Sequence, residues 1–277
     1  MSSGRRRRCG AFISDAVLTI GDGELARWLG EFLWPFLRTL ALLAAAPGFN
    51  SPAIPVWAKV ALAFVIAVVI AATLKTSVPV TLSWVSVELV FEQVVVGLAI
   101  GFAMQLTLAA MAFAGEFVGI QMGFGFASLF DIQSGFEVPV MSNFFSLTGL
   151  MLFLALNGHL VLLGVLVKSF TIVPIAVDSG ITVVGWRALA RAGVLLFQMG
   201  VWLALPVVAV LLAAHLTVAV VSRVAPQFNV MSLGFSVFMW VGIAAVIALV
   251  PFFVPAVEHM IDAGLTLGGA ALQGQPR

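Results

Sequence analysis

The side chains that could do chemistry are few, and several of them lie in one short stretch. Residues 114–131 read AGEFVGIQMGFGFASLFD, so four glycines accompany Glu116, Gln121 and Asp131 between two long apolar runs. Ionisable residues inside a membrane are functional candidates by default, because they are expensive to place there. An acidic group at the end of an apolar run can also cap a helix or interact with its dipole. For Glu116 both interpretations stay open.

Enzyme signatures are missing from the sequence. GFGFAS at 123–128 has two of the three glycines of a dinucleotide-binding fingerprint, but Ser128 occupies the third position and no strand precedes it. The three histidines are His159, His215 and His259. None pairs with another at metal-ligand spacing, and a ring satisfied by a neighbouring helix is favoured over a proton relay. Cys9 is the only cysteine, which excludes an internal disulfide. The sequence predicts no enzyme, no cofactor and no metal site.

Composition places the chain in a membrane. Of 277 residues, 62% are hydrophobic and 9% are charged, whereas soluble domains carry about 25% charged residues. The net charge of +1 depends on Arg5–Arg8, and removing residues 1–10 leaves 9 basic against 12 acidic residues. No basic stripe remains, so nucleic acid is not an expected partner. We predict an all-α integral membrane protein.

The apolar runs predict about six helices, several of them short, long or broken. They are residues 23–46, 60–74, 93–115, 138–167, 192–222 and 224–257. A spanning helix needs roughly 20 apolar residues, so 60–74 is short. The run 138–167 is interrupted by the polar residues Asn157 and His159 around Gly158. Breaks at membrane depth are tolerated only where protein or a cavity surrounds them. We therefore expect protein partners around this chain.

Glycine spacing gives a more specific signal. Gly115, Gly119 and Gly123 recur every four residues, so on a helix they form one groove for a neighbouring helix. Gly97 and Gly101 repeat the pattern earlier. The groove could receive a helix of another subunit or of the same chain, and both interpretations stay open.

Beyond Gly123 the pattern favours a hinge. Gly125 lies off the glycine face, and bulky side chains at Met122, Phe124 and Phe126 surround flexible backbone. Soft apolar side chains on mobile backbone suit a hydrophobic gate, which excludes water and ions without using charge.

Several motifs together resemble a known family. They are FLRTLALLAAAPGFNSPAIP (36–55), GLAIGFAMQL (97–106), the stretch 114–131, LFLALNGHLVLL (152–163), SFTIVP (169–174) and RVAPQFNVMSLGF (223–235). In this order and spacing they resemble the FliR family of flagellar export-gate proteins, over about residues 25–260. Three departures stand out. Ile132 occupies a position where that family usually has proline, Gln93 one where it usually has glutamate, and Phe238 one where lysine is common.

The resemblance implies a fold, partners and a place in the cell. Members are similar to a fusion of FliP-like and FliQ-like folds, with helices in bent hairpins. They join FliP-like and FliQ-like subunits in an export gate of the inner membrane, within the flagellar basal body and beside an FlhB-like switch protein. Unfolded flagellar proteins pass through that gate. The stretch near 115–131 resembles the family's pore plug, which implies that Met122, Phe124 and Phe126 fill the closed lumen while Gly119, Gly123 and Gly125 let it bend aside.

The resemblance also divides the chain. Residues 1–16 lie outside it and are interpreted as an N-terminal extension, with a start codon placed too early as the favoured explanation. Residues 17–277 form one export-gate domain in this interpretation. The alternative function is a polytopic secondary transporter for a small molecule, which predicts an internal repeat with paired broken helices. Only the break at 157–159 fits that pattern.

Overall fold

The apolar runs fold as helices. The computed structural model describes residues 22–73, 84–125, 139–175, 183–225 and 230–272, and within them every regular element is an α-helix. In chain order these are α1 (Asp22–Ala45), α2 (Val56–Thr73), α3 (Trp84–Met122), α4 (Val140–Ala155), α5 (Gly158–Ile172), α6 (Val183–Val224) and α7 (Val230–Leu272). α4 and α5 together occupy the run that was predicted to be broken, so the helices of the described residues correspond to the six predicted runs.

Within the described residues, four helices are long and apolar enough to cross a membrane, namely α2, α3, α6 and α7. The pair α4 and α5 makes a fifth candidate that bends by 67° at its break. These features confirm an all-α, multi-pass integral membrane protein. The expected N-terminal extension, residues 1–16, lies outside the described part of the chain.

The third helix is longer than the predicted run 93–115. It contains 39 residues and, at about 1.5 Å per residue, extends about 58 Å, nearly twice the roughly 30 Å hydrocarbon thickness of a bilayer. The charges that were taken as its boundaries lie within it. Glu92 is buried and Glu116 is half-buried against other helices, so the surrounding protein, not a membrane surface, accommodates both.

α3 is the helix around which α1, α4, α6 and α7 pack. In its most apolar 18-residue window 61% of the residues are buried, against 17% in α2, 17% in α6 and 22% in α7. Its first half packs against α1, and its second half packs against α4, α6 and α7. α2 packs on α1 instead. The outer surfaces of α2, α6 and α7 remain largely exposed, with large side chains such as Trp57, Trp202 and Trp240.

Glycine sets the distance between α1 and α3. A Cβ atom at Gly97 would collide with the carbonyl oxygen of Arg38, and one at Gly101 would lie 2.7 Å from the carbonyl oxygen of Leu42. Both contacts are with backbone, which cannot rotate away as a side chain can. The two helices therefore run parallel at a separation that only glycine permits.

One cation is fully buried where α1, α3 and α5 meet. The Arg38 side chain has 0% exposure. Its Nε donates to Oε1 of Gln93 (2.9 Å), one terminal nitrogen donates to Oγ of Ser169 (3.0 Å), and the other donates to the carbonyl oxygen of Val173 (3.1 Å). The guanidinium carbon also lies 4.1 Å from the centre of the Phe170 ring. Sequence analysis did not identify Arg38 as a functional residue. The sequence feature that could have identified it is a single cation in the apolar half of α1.

Candidate functional site

The glycine face of α3 receives the first turn of α4. A Cβ atom at Gly115 would collide with the carbonyl oxygen of Met141 and lie 2.8 Å from Cα of Ser142. The Ser142 hydroxyl donates to the carbonyl oxygen of Ala112 across the same contact, at 2.9 Å. At Gly119 the nearest atom is Cβ of Met141, at 3.4 Å. Between the two interpretations left open by the sequence, these positions favour a helix of the same chain.

The backbone changes direction directly after α3. Gly123 has a φ of +87°, a conformation that side chains rarely adopt. Its N–H donates to the carbonyl oxygen of Ile120 at 3.0 Å, and its Cβ position faces the Phe235 ring of α7 at 3.3 Å. Gly123 therefore does not continue the face of Gly115 and Gly119 but ends the helix at a bend.

The three predicted plug residues differ in their surroundings. Met122 is 1% exposed and lies so close to Gly242 of α7 that a Cβ there would be 2.5 Å from its Cγ. Phe124 is half-buried and packs against the same core. Phe126 and Asp131 lie outside the described residues. In this structure Met122 is thus a core residue that joins the end of α3 to α7.

Gly125 leaves space for a side chain. Among the described residues no atom lies within 4 Å of its Cβ position. It lines, together with Glu116 and Phe124, a cleft between the end of α3 and residues 139–142. The cleft has a volume of about 30 Å³, enough for one water molecule and far below the roughly 300 Å³ of a small-molecule site. The site is therefore a joint between helices and not a substrate pocket.

Polar side chains near this joint are half-buried. Glu116 lines the cleft, and Gln121 lies five residues further along α3. Within the described part of the chain, no group of three or more His, Cys, Asp or Glu residues could hold a metal ion. Glu116 lies inside α3 and not at its end, but it lines the cleft beside residues 139–142, where α4 begins, so both interpretations of Glu116 stay open.

The predicted polar break lies at the other end of α4. Asn157 adopts left-handed backbone angles (φ 57°) and its carbonyl oxygen accepts from the N–H groups of Leu160 and Val161, at 2.9 and 3.2 Å. His159 is half-buried, and its Nδ1 has no hydrogen-bond partner among the described residues. Since α4 has 16 residues, this break is about 24 Å from the joint at Gly115. The structure does not bring the two sets of polar residues together.

His215 fits the interpretation of a ring satisfied by its neighbours. Its Nδ1 lies 2.7 Å from the carbonyl oxygen of Leu211, and its ring stacks on Phe238 with centres 3.7 Å apart. This contact joins α6 to α7. Phe238, a departure from the family pattern, therefore has a packing role here.

A larger groove separates α6 from α7. It measures about 500 Å³ and is lined by apolar side chains that include Trp202, Pro206 and Phe252. Its size suits a small molecule, but ligand sites also contain a few placed polar groups. Apart from the indole of Trp202, the lining side chains are hydrocarbon, so the groove offers no set of groups that would orient a ligand.

Comparisons with known proteins agree with this architecture. The sequence matches the family described as bacterial export proteins, family 1, over residues 29–264. It is 37% identical over 246 residues to the flagellar biosynthetic protein FliR of Pectobacterium carotovorum subsp. carotovorum, which covers 89% of this chain and 94% of that protein. The FliR protein of Escherichia coli (strain K12) is 36% identical with the same coverage. That of Bacillus subtilis (strain 168) is 30% identical over 207 residues, covering 73% of this chain and 79% of that protein.

The close contact between α3 and α4 predicts that alanine substitutions at Gly115 and Gly119 have unequal effects on stability. Gly115→Ala introduces a backbone collision, which costs about 1–3 kcal/mol when a packed contact must move. In Gly119→Ala the added methyl group makes an ordinary van der Waals contact. The higher helix propensity of alanine stabilises the helix by about 0.5–1 kcal/mol. We expect a clearly lower thermal midpoint for Gly115→Ala in mild detergent and an unchanged or higher one for Gly119→Ala. Equal midpoints for the two variants would contradict the close approach of α4.

Proposed function

The chain belongs to the FliR family of bacterial export proteins, and we propose that it forms, with FliP-like and FliQ-like subunits, the pore of the flagellar type III export gate. Unfolded flagellar proteins are its cargo. The proposed role is not enzymatic: the chain lines and closes a path while the driving energy comes from elsewhere in the machine. An FlhB-like switch protein is its further neighbour, and the bacterial inner membrane within the basal body is its location.

The length of α3 is the observation that carries this proposal. A helix of 39 residues cannot lie along the normal of one bilayer with its whole length in hydrocarbon. A tilt that placed it wholly in lipid would exceed the 0–40° range of spanning helices. Part of α3 and of the helices packed on it would therefore lie outside the hydrocarbon, and we propose that other protein covers it there. Subunits of the same assembly provide such a surface, and a transporter that acts alone does not.

Exposed aromatic residues support the same proposal. Trp84 is 82% exposed, Phe91 69% and Trp240 72%, and they belong to α3 and α7. Lipid can cover such side chains, but helices of partner subunits can cover them as well. Partner helices would bury these side chains.

The plug is proposed at the joint where α3 ends. Phe124 and Phe126, on the chain after the bend at Gly123, would close the lumen, and Met122 would anchor them through its contact with Gly242. Gly119 would let α3 and α4 move past each other, and Gly125 would let the segment fold aside. The positive φ of Gly123 supports a change of chain direction at this point.

The first test is native mass spectrometry after co-expression with the neighbouring export genes and extraction in mild detergent. We expect the chain to appear bound to several copies of two small hydrophobic proteins. A stable monomer or homodimer without partners would overturn the gate proposal. It would favour the secondary transporter, for which the 67° break between α4 and α5 is the supporting feature.

A charge at the plug tests its position. Gly125→Asp fits sterically, since the described residues leave space there, so any effect comes from the carboxylate in an apolar constriction. We expect increased ion leakage through the resting gate and altered secretion of flagellar subunits. Gly125→Asn is the matched control, with the same shape and no charge, and should be closer to the unaltered chain. Unchanged conductance and secretion in Gly125→Asp would remove this segment from the plug.

A further inference from the structure

The end of α5 is fixed by a side chain from another helix. Arg38 of α1 donates to the carbonyl oxygen of Val173, the residue that terminates α5, and to the hydroxyl of Ser169 one turn earlier. Carbonyl groups at a helix C-terminus lack partners within the helix and carry partial negative charge. A guanidinium provides these carbonyl groups with hydrogen-bond donors and places a positive charge beside their partial negative charge. Arg38 thus caps a helix that lies more than 120 residues away in the sequence.

The position of α5 depends on few other contacts. It packs on α7, α4 and α3 less extensively than α4 packs on α3. Its other end begins at the bend after Asn157, where the backbone is left-handed and the two helices meet at 67°. α5 still buries Leu162, Leu166 and Phe170 in the core, so the contact at its far end adds to this packing in fixing the direction of the helix after the bend.

Burying a guanidinium adds little net stability to a fold. Moving an ion out of water costs several kcal/mol, and apolar replacements of buried charged clusters are often as stable or more so. The cluster is also incompletely satisfied: Nε2 of Gln93 has no hydrogen-bond partner among the described residues. Arg38 instead fixes the orientation of α5, because its planar guanidinium donates to three acceptors on two other helices.

We propose that Arg38 is a positioning residue that latches α5 against α1 and α3, with the bend at Asn157–Gly158 as the pivot of the latched arm. Releasing the latch lets α5 move as a unit while α1, α3 and α4 keep their glycine contacts. This inference goes beyond the export function and does not depend on it.

Thiol accessibility on α5 tests the latch directly. In a Cys9→Ser background, Leu162→Cys places a thiol on the buried face of α5, where the native side chain is 3% exposed. Ser169→Ala removes one acceptor of Arg38. Ser146→Ala on α4 is the matched control, because each serine hydroxyl also donates to a carbonyl of its own helix (2.7 Å in both) but only Ser169 accepts from Arg38. Alkylation by a maleimide is measured on the protein as extracted, with any partners still bound.

We expect Ser169→Ala to speed alkylation of the α5 thiol about tenfold, the factor that one hydrogen bond to a charged group provides in a local opening. Ser146→Ala should leave the rate unchanged. A second reporter, Ala114→Cys on the fully buried face of α3, should stay slow in both variants. Equal rates for the α5 thiol in the two serine variants would overturn the latch. So would an equal acceleration at the α3 thiol, which would mean that Arg38 only stabilises the whole fold.

A variant without the charged cluster separates position from stability. Arg38→Met combined with Glu92→Gln and Gln93→Met removes both buried charges and the amide that Arg38 binds, while the Ser169 hydroxyl still donates to the carbonyl oxygen of Leu166. We expect the membranes to contain normal amounts of chain, with the α5 thiol alkylated at least about tenfold faster and the α3 thiol unchanged. Protection of the α5 thiol equal to that seen with Arg38 in place would show that apolar packing alone positions α5, and it would overturn the proposal. If this triple variant does not accumulate, the serine pair decides the question by itself.

Discussion

The fold depends on the contact of backbone with backbone along α3. Gly97 and Gly101 bring α1 against one half of this helix, and Gly115 brings α4 against the other half. Side chains in a membrane protein gain little by leaving lipid for an apolar protein interior, so dispersion between closely approaching helices provides much of the attraction. These few positions place α1 and α4 against α3, and their spacing determines which turns can meet.

Close approach alone does not determine which way a helix faces, and the buried polar cluster adds that information. Apolar surfaces tolerate rotation and sliding, whereas the fork of Arg38 has one arrangement in which Gln93, Ser169 and Val173 all accept from it. The glycines therefore set distances and Arg38 sets an orientation. The two devices act on different helices: α4 is held by contact with glycine, and α5 by hydrogen bonds.

Most of the fold could be predicted from the sequence, because long apolar runs leave little choice but helix in a membrane. The break at Asn157–Gly158 and the bend at Gly123 could also be predicted, because both need residues that tolerate left-handed backbone. The extent of α3 could not be predicted. Glu92 and Glu116 end apolar runs in the sequence, yet both lie within one helix, and only the surrounding helices reveal this. The core position of Met122 could not be predicted either, because a methionine beside a glycine-rich segment has the same local sequence whether it is exposed or buried in a core.

The arrangement of neighbours along α3 has a consequence for biogenesis. The partner of its first half, α1, precedes it in the chain, so Gly97 and Gly101 can meet α1 as soon as about residue 105 has left the ribosome. The partners of its second half, α4, α6 and α7, all follow it. Between these two moments the face of Gly115 and Gly119 has no helix of this chain to cover it. The nascent protein thus passes through a stage in which half of its central helix is assembled and half awaits its neighbours, and membrane insertases and quality-control proteases would encounter it in that state.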